Sequence, residues 1–123
     1  MRRLVAVMTD FGLSDPYAGQ VNAVLSAYSD LQIIGITHHV PPHNVALGAH
    51  ILDASLDLFP TGSVFLAVVD PGVGTDRRGL IIRRSGRWLV GPDNGLLTPP
   101  NQEVEAWEID QPKTWRPTIQ ATF

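Results

Sequence analysis

The sequence predicts an α/β domain: a central, mostly parallel or mixed sheet with flanking helices. Three observations predict it. Short β-branched apolar runs alternate with longer segments of helical periodicity. The apolar runs end in polar clusters of Asp, His, Asn and Gly, as strand-to-helix loops do. Two further runs flank Ser85-Gly86, a hairpin turn signal.

Residues 4–8 are apolar throughout and read as a buried strand. Asp15-Pro16 offers an N-cap followed by proline at the first helical position. Tyr17, Val21, Val24, Leu25 and Tyr28 then recur at helical spacing, which predicts a helix over 16–28. Ile33, Ile34 and Ile36 mark a second strand, and Pro41-Pro42 bars regular structure after it. Asn44 is the expected N-cap of a second helix. Its face is Val45, Ala49, Leu52, Leu56 and Phe59, with Pro60 and Gly62 as the stop. Residues 64–69 form the most apolar run and read as the central strand. Residues 80–82 and 88–90 form the hairpin, and Val104, Ala106 and Ile109 suggest a weaker strand.

Composition removes several functions. The 123 residues fit one domain and carry nine Lys+Arg against twelve Asp+Glu, a net charge of −3. That balance, with Lys113 the only lysine, argues against nucleic-acid and anionic-lipid partners. The absence of cysteine excludes disulfides, thiol catalysis and Cys-type metal sites. No stretch approaches the ~18 apolar residues of a membrane span. The apolar run after Arg2-Arg3 is shorter than a signal peptide's ~7–15 residues. Of the four histidines, His39 and His43 are separated by Pro41-Pro42, so they cannot share a helix face as a metal pair. We expect no metal.

Parallel strands would bring three polar clusters to one cleft: residues 9–15, 37–44 and 70–78. A fourth, 91–95, follows the hairpin. Asp10 caps a turn or meets a ligand, and Asp15 caps its helix or does the same. Asp93-Asn94-Gly95 has turn chemistry. Arg83, Arg84 and Arg87 read as a solvated face, and Trp88, Trp107 and Trp115 as packing or interface residues. His38 and His39 read as strand-end residues at the cleft. The glycine-rich segment after Asp70 lacks the Gly-Lys-Ser/Thr of a phosphate loop and leads into a strand, so no helix N-terminus awaits a phosphate. Asp70 and Arg77 form either a structural salt bridge or a pair that orients a water molecule.

Seven segments occur in an order that resembles a known family. They include Thr9-Asp-Phe-Gly12, Ile36-Thr-His38, Pro41-Pro-x-Asn44, Asp70-Pro-Gly-Val-Gly-Thr75 and Gly91-Pro-Asp-Asn-Gly-Leu-Leu97. The chain resembles the S-adenosylmethionine hydrolases (SAM hydroxide adenosyltransferases), relatives of the SAM-dependent fluorinase and chlorinase. The resemblance implies attack of water on ribose C5′, releasing methionine and adenosine, with SAM as substrate and no cofactor. It implies catalytic roles for Asp70 and Arg77, and Asp10 as the ribose-hydroxyl carboxylate. Asp15, His43, Thr75, Asn94 and Phe123 become substrate contacts. Asp70 favours water over a halide, since a carboxylate repels an anion.

The resemblance further implies a cytoplasmic homotrimer. It implies too that residues 1–123 are an N-terminal α/β catalytic domain. The family's C-terminal β-rich domain and its histidine after a Thr-Phe pair would lie beyond Thr122-Phe123. The alternative expectation is a non-catalytic adenosine- or SAM-binding half-site, or an interaction domain.

Overall fold

The computed structural model describes residues 3–28, 30–72, 76–98 and 102–110. The strands are β1 (Arg3–Thr9), β2 (Leu31–Thr37), β3 (Val64–Val68), β4 (Gly79–Arg84), β5 (Arg87–Pro92) and β6 (Glu105–Glu108). They form a six-stranded sheet ordered β2-β1-β3-β5-β4-β6. β2, β1, β3 and β5 run parallel, and β4 pairs antiparallel with β5 and β6. The mixed α/β sheet is therefore as expected, with residues 64–68 central.

β1 is buried continuously from Val5 to Thr9, the pattern of a strand covered on both faces. β3 alternates instead, and sends Phe65 and Ala67 into the core. There they meet Ala6, Met8 and Leu89 from neighbouring strands. Helix α2 (Val45–Leu56) lays Leu52 and Leu56 over this face, and Leu96 and Leu97 join the same core. Phe59 meets Phe65 edge-on, with ring centroids 4.9 Å apart.

Asn44 caps α2 as its sequence position suggests: its Oδ1 accepts from the Leu47 amide at 3.0 Å. Asn44→Ala should cost about 1 kcal/mol, and Asn44→Asp should cost little, as read by thermal denaturation. An equal loss in both variants would mean that the cap contributes nothing. The helix stops at Leu56, before Phe59. The Leu58 and Phe59 amides bond back to the Ser55 and Leu56 carbonyls, which tightens the last turn before Pro60.

Helix α1 (Tyr17–Ser26) is shorter than the expected 16–28. The N-cap position falls on Pro16, with no side-chain cap, and not on Asp15 as expected; Asp15 lies one residue earlier, where its Oδ1 accepts from the Tyr17 amide at 3.1 Å. The apolar face is less covered than its periodicity suggests. Only Ala18 is buried, while Val24 and Tyr28 are 42% and 62% exposed. An open apolar cavity of about 490 Å³ lies against Leu25, Tyr28, Val5, Val64, Leu66 and Val90. None of the described helices is long and apolar enough to cross a membrane.

Ser85 and Gly86 both have positive φ, 53° and 75°, as a two-residue type I′ hairpin requires. The arginines around this turn correct the expectation of a solvated face. The Arg84 side chain is 6% exposed; it pairs with Asp53 on α2 and donates to the Leu97 carbonyl at 3.2 Å. Arg87 donates to the carbonyls of Phe59 and Ser85. Both guanidiniums tie the hairpin to α2 and the segment after it. Arg83 does remain outside, over the Trp88 ring, which packs 5.8 Å from the Trp107 ring. Trp115 lies outside the described residues.

Candidate functional site

The strand order creates a switch point. From β1 the chain crosses through α1 to β2 on one side, then through α2 back past β1 to β3 on the other. Right-handed crossovers in opposite directions put the two helices on opposite faces. The loops leaving β1 and β3 therefore diverge, and a crevice opens between their carboxyl ends. Thr9 is the Cα partner of Val68 across these strands. Asp10 follows the first and Asp70 follows the second closely, so both carboxylates leave the sheet at the mouth of this crevice.

Asp10 is fixed from both sides. Its amide donates to the Val68 carbonyl at 3.3 Å. Its Oδ2 accepts from the His43 amide at 2.7 Å. His43 adopts φ 63°, a left-handed conformation that a β-carbon disfavours but that aims this amide at Asp10. Among the described residues Oδ1 of Asp10 makes no hydrogen bond, so one face of the carboxylate is available. Two of the expected site residues are thus brought together.

Next to them, Thr9 Oγ1 lies 2.7 Å from His38 Nδ1 and accepts from the Phe11 amide at 3.2 Å. Burial pushes the His38 imidazole below its usual pKa, and the neighbouring His39 lowers it further. Both effects favour the neutral form of His38. This link joins residues 29 positions apart, and only the pairing of β1 with β2 reveals it.

Asp70 is held at both oxygens. Oδ1 accepts from the Gly72 amide at 2.9 Å, and Oδ2 accepts from Arg77 Nε in an ion pair. The Asp70 side chain is 1% exposed and that of Arg77 29%. The guanidinium is thus the solvent-facing half of the pair. Among the described residues Arg77 donates only through Nε, which leaves both Nη groups for a ligand. Each carboxylate oxygen of Asp70 also retains a lone pair.

Asn94 anchors the adjoining loop. Its Nδ2 donates to the Val69 carbonyl at 3.0 Å, and its Oδ1 accepts from the Leu96 amide at 3.1 Å. The side chain thereby braces the residue before Asp70. Arg78, just before β4, pairs with Asp93 of this loop, with Nη2 to Oδ2 at 2.9 Å. Among the described residues no hydrogen bond brings Asp15 to this cluster: it is exposed and engaged with Tyr17. Thr75 and Phe123 lie outside the described residues. Among the described residues, no group of three or more His, Asp or Glu side chains could hold a metal ion.

Fold and site define an α/β protein with a polar cluster at the switch point of its parallel strands. It holds one anchored carboxylate with an oxygen to offer and one carboxylate–guanidinium pair. The chain belongs to the SAM hydroxide adenosyltransferase family: the model of that family's N-terminal domain matches residues 5–123.

It is similar to the (R)-S-adenosyl-L-methionine hydrolase of Thermus thermophilus, with 43% identity over 113 residues, covering 90% of this chain and 41% of the relative. It is more distantly similar to a fluorinase of Nocardia brasiliensis, 29% identical, covering 99% of this chain and 50% of that protein. The crystal structure of an uncharacterized conserved protein from Thermotoga maritima shares the fold with a TM-score of 0.88 and 38% identity. That match covers 97% of this chain and 48% of the other. The chain thus spans half or less of the length of these relatives.

Proposed function

We propose that the protein hydrolyses S-adenosyl-L-methionine to adenosine and L-methionine. The observation that carries this reading is the placement of Asp10 and the Asp70–Arg77 pair at the ends of adjacent parallel strands. Asp10 Oδ1 accepts a hydrogen bond from the ribose diol. A carboxylate suits this task because it only accepts, and a vicinal diol supplies two donors.

Arg77 Nη and Asp70 hold the attacking water, one donating to its oxygen and the other accepting its hydrogen. The water oxygen bonds to C5′ as the C5′–S bond breaks. The electron pair of that bond goes to sulfur, which leaves as the neutral thioether of methionine. The spare proton of the water passes to the carboxylate and on to solvent. The leaving group is already cationic, so the step needs no acid and no cofactor; it needs an aligned, partly desolvated nucleophile. The acidic balance of the chain, −3, suits a sulfonium better than a phosphate.

Greater similarity to the hydrolase than to the fluorinase, 43% against 29%, supports water as nucleophile. The proposal extends to a cytoplasmic homotrimer, which light scattering checks. The test of function is incubation of the full-length protein with S-adenosylmethionine in ¹⁸O-labelled water. Methionine and adenosine should appear in equal amounts, with the label in the adenosine 5′-hydroxyl. Binding of substrate with no release of methionine would instead leave a nucleoside-binding module.

A further inference from the structure

Asp10 does not stand alone in its loop. Residues 9–12 are tied to the end of β2 by several hydrogen bonds, and most converge on one residue. The Gly12 amide donates to the His38 carbonyl at 2.6 Å. The Val40 amide donates to the Thr9 carbonyl at 3.4 Å. Thr9 Oγ1 meets His38 Nδ1 at 2.7 Å. Thr9 is fully buried, so its hydroxyl hydrogen needs an acceptor inside the protein.

Oγ1 already accepts from the Phe11 amide. If it also accepted from Nδ1, its own hydrogen would be buried with no acceptor among the described residues. The satisfied arrangement has Thr9 donating to a bare Nδ1, with the imidazole proton on Nε2. Nε2 lies over Gly35, where a β-carbon would sit 3.9 Å away. Burial of the ring keeps it neutral and Nδ1 available.

We infer that His38 is a positioning residue for Asp10: Nδ1 accepts from Thr9 and fixes the loop that aims the carboxylate at the ribose hydroxyls. This rests on the ribose-binding reading of Asp10. The effect of His38 passes through Thr9 to the backbone of Asp10. His43 pins Oδ2 of that carboxylate from one side, and His38 holds the chain that carries it.

The experiment measures kcat and KM of the full-length protein with S-adenosylmethionine and with its 2′-deoxyribose analogue, for wild type, Asp10→Ala, His38→Ala, His38→Asn and Thr9→Val. Wild type should prefer the ribose substrate, and Asp10→Ala should abolish that preference. His38→Ala should raise KM for S-adenosylmethionine roughly tenfold with a smaller change in kcat, and should change KM for the deoxy analogue less than about twofold. Thr9→Val should reproduce this, and the Thr9/His38 double variant should be no worse than either alone. His38→Asn should recover most of the loss, because its Oδ1 occupies the place of Nδ1. Equal losses on both substrates after His38→Ala, with the Asp10 coupling intact, would overturn the role of His38 alone. A wild type indifferent to the 2′-hydroxyl would overturn the reading of Asp10 and this inference with it.

Discussion

Asp70→Ala should lower kcat for S-adenosylmethionine hydrolysis by about 10²- to 10³-fold, with KM changed far less. The reason is in the geometry. Both Asp70 oxygens are engaged, one by the Gly72 amide and one by Arg77, and the side chain is 1% exposed. Such a group is held in one orientation before substrate arrives. It therefore stabilises the arrangement of water that the transition state needs more than it stabilises bound substrate. Removing it also frees the guanidinium, which is 29% exposed and would turn toward solvent.

Asp70→Asn separates charge from shape. Its carbonyl oxygen can still accept from the Gly72 amide, but the Arg77 ion pair is lost. If charge is what matters, the asparagine variant should be nearly as impaired as alanine while melting closer to wild type. Arg77→Lys should fail as well, because an ammonium cannot donate from the Nε position and also present two Nη groups. Steady-state turnover with parallel thermal melts decides among these. An Asp70→Asn enzyme within a few-fold of wild type would remove the carboxylate charge from the reaction.

The elements of this fold were legible because each rests on local chemistry. The apolar run of β1, the helical spacing from Val45 to Leu56 and the Ser85-Gly86 turn need no distant partner to be recognised. Asn44 acts within one turn of itself. Asp10, Asp70 and Asn94 could be gathered from sequence because parallel strands deliver their carboxyl ends to one side. Contacts that depend on which strand lies beside which were not legible.

Arg84 resembles the other arginines of its hairpin, yet Asp53, 31 residues away on α2, draws it into the interior. Thr9 and His38 look like unremarkable strand ends until β1 and β2 are side by side. The apolar face of α1 misled for a related reason. Periodicity reports which side of a helix is apolar, whereas the extent of its cover depends on what else packs there, and β2 is an edge strand.

Gly91→Ala should destabilise the protein by about 3 kcal/mol or more, lowering Tm by roughly 10 °C. The Cα register between β3 and β5 ends at Leu66–Val90, and Gly91 is the next residue. A β-carbon there would fall on the backbone carbonyl oxygen of Ala67, far inside van der Waals contact, and 3.0 Å from Leu97 Cδ2. Neither neighbour can swing aside. The carbonyl belongs to the central strand, and both Ala67 and Leu97 are buried in the core.

The two strands would have to part, and the displacement would pass directly to the site. Pro92-Asp93-Asn94 follows Gly91, and Asn94 holds the Val69 carbonyl one residue before Asp70. Activity in Gly91→Ala should therefore fall even below its melting transition. Gly19→Ala is the matched control. It lies within α1 with nothing within 4 Å of the added carbon, so it should leave stability unchanged or raise it by about 0.5–1 kcal/mol. Equal melting temperatures for the two variants would refute the close approach of Ala67 to Gly91 as a constraint on the sheet.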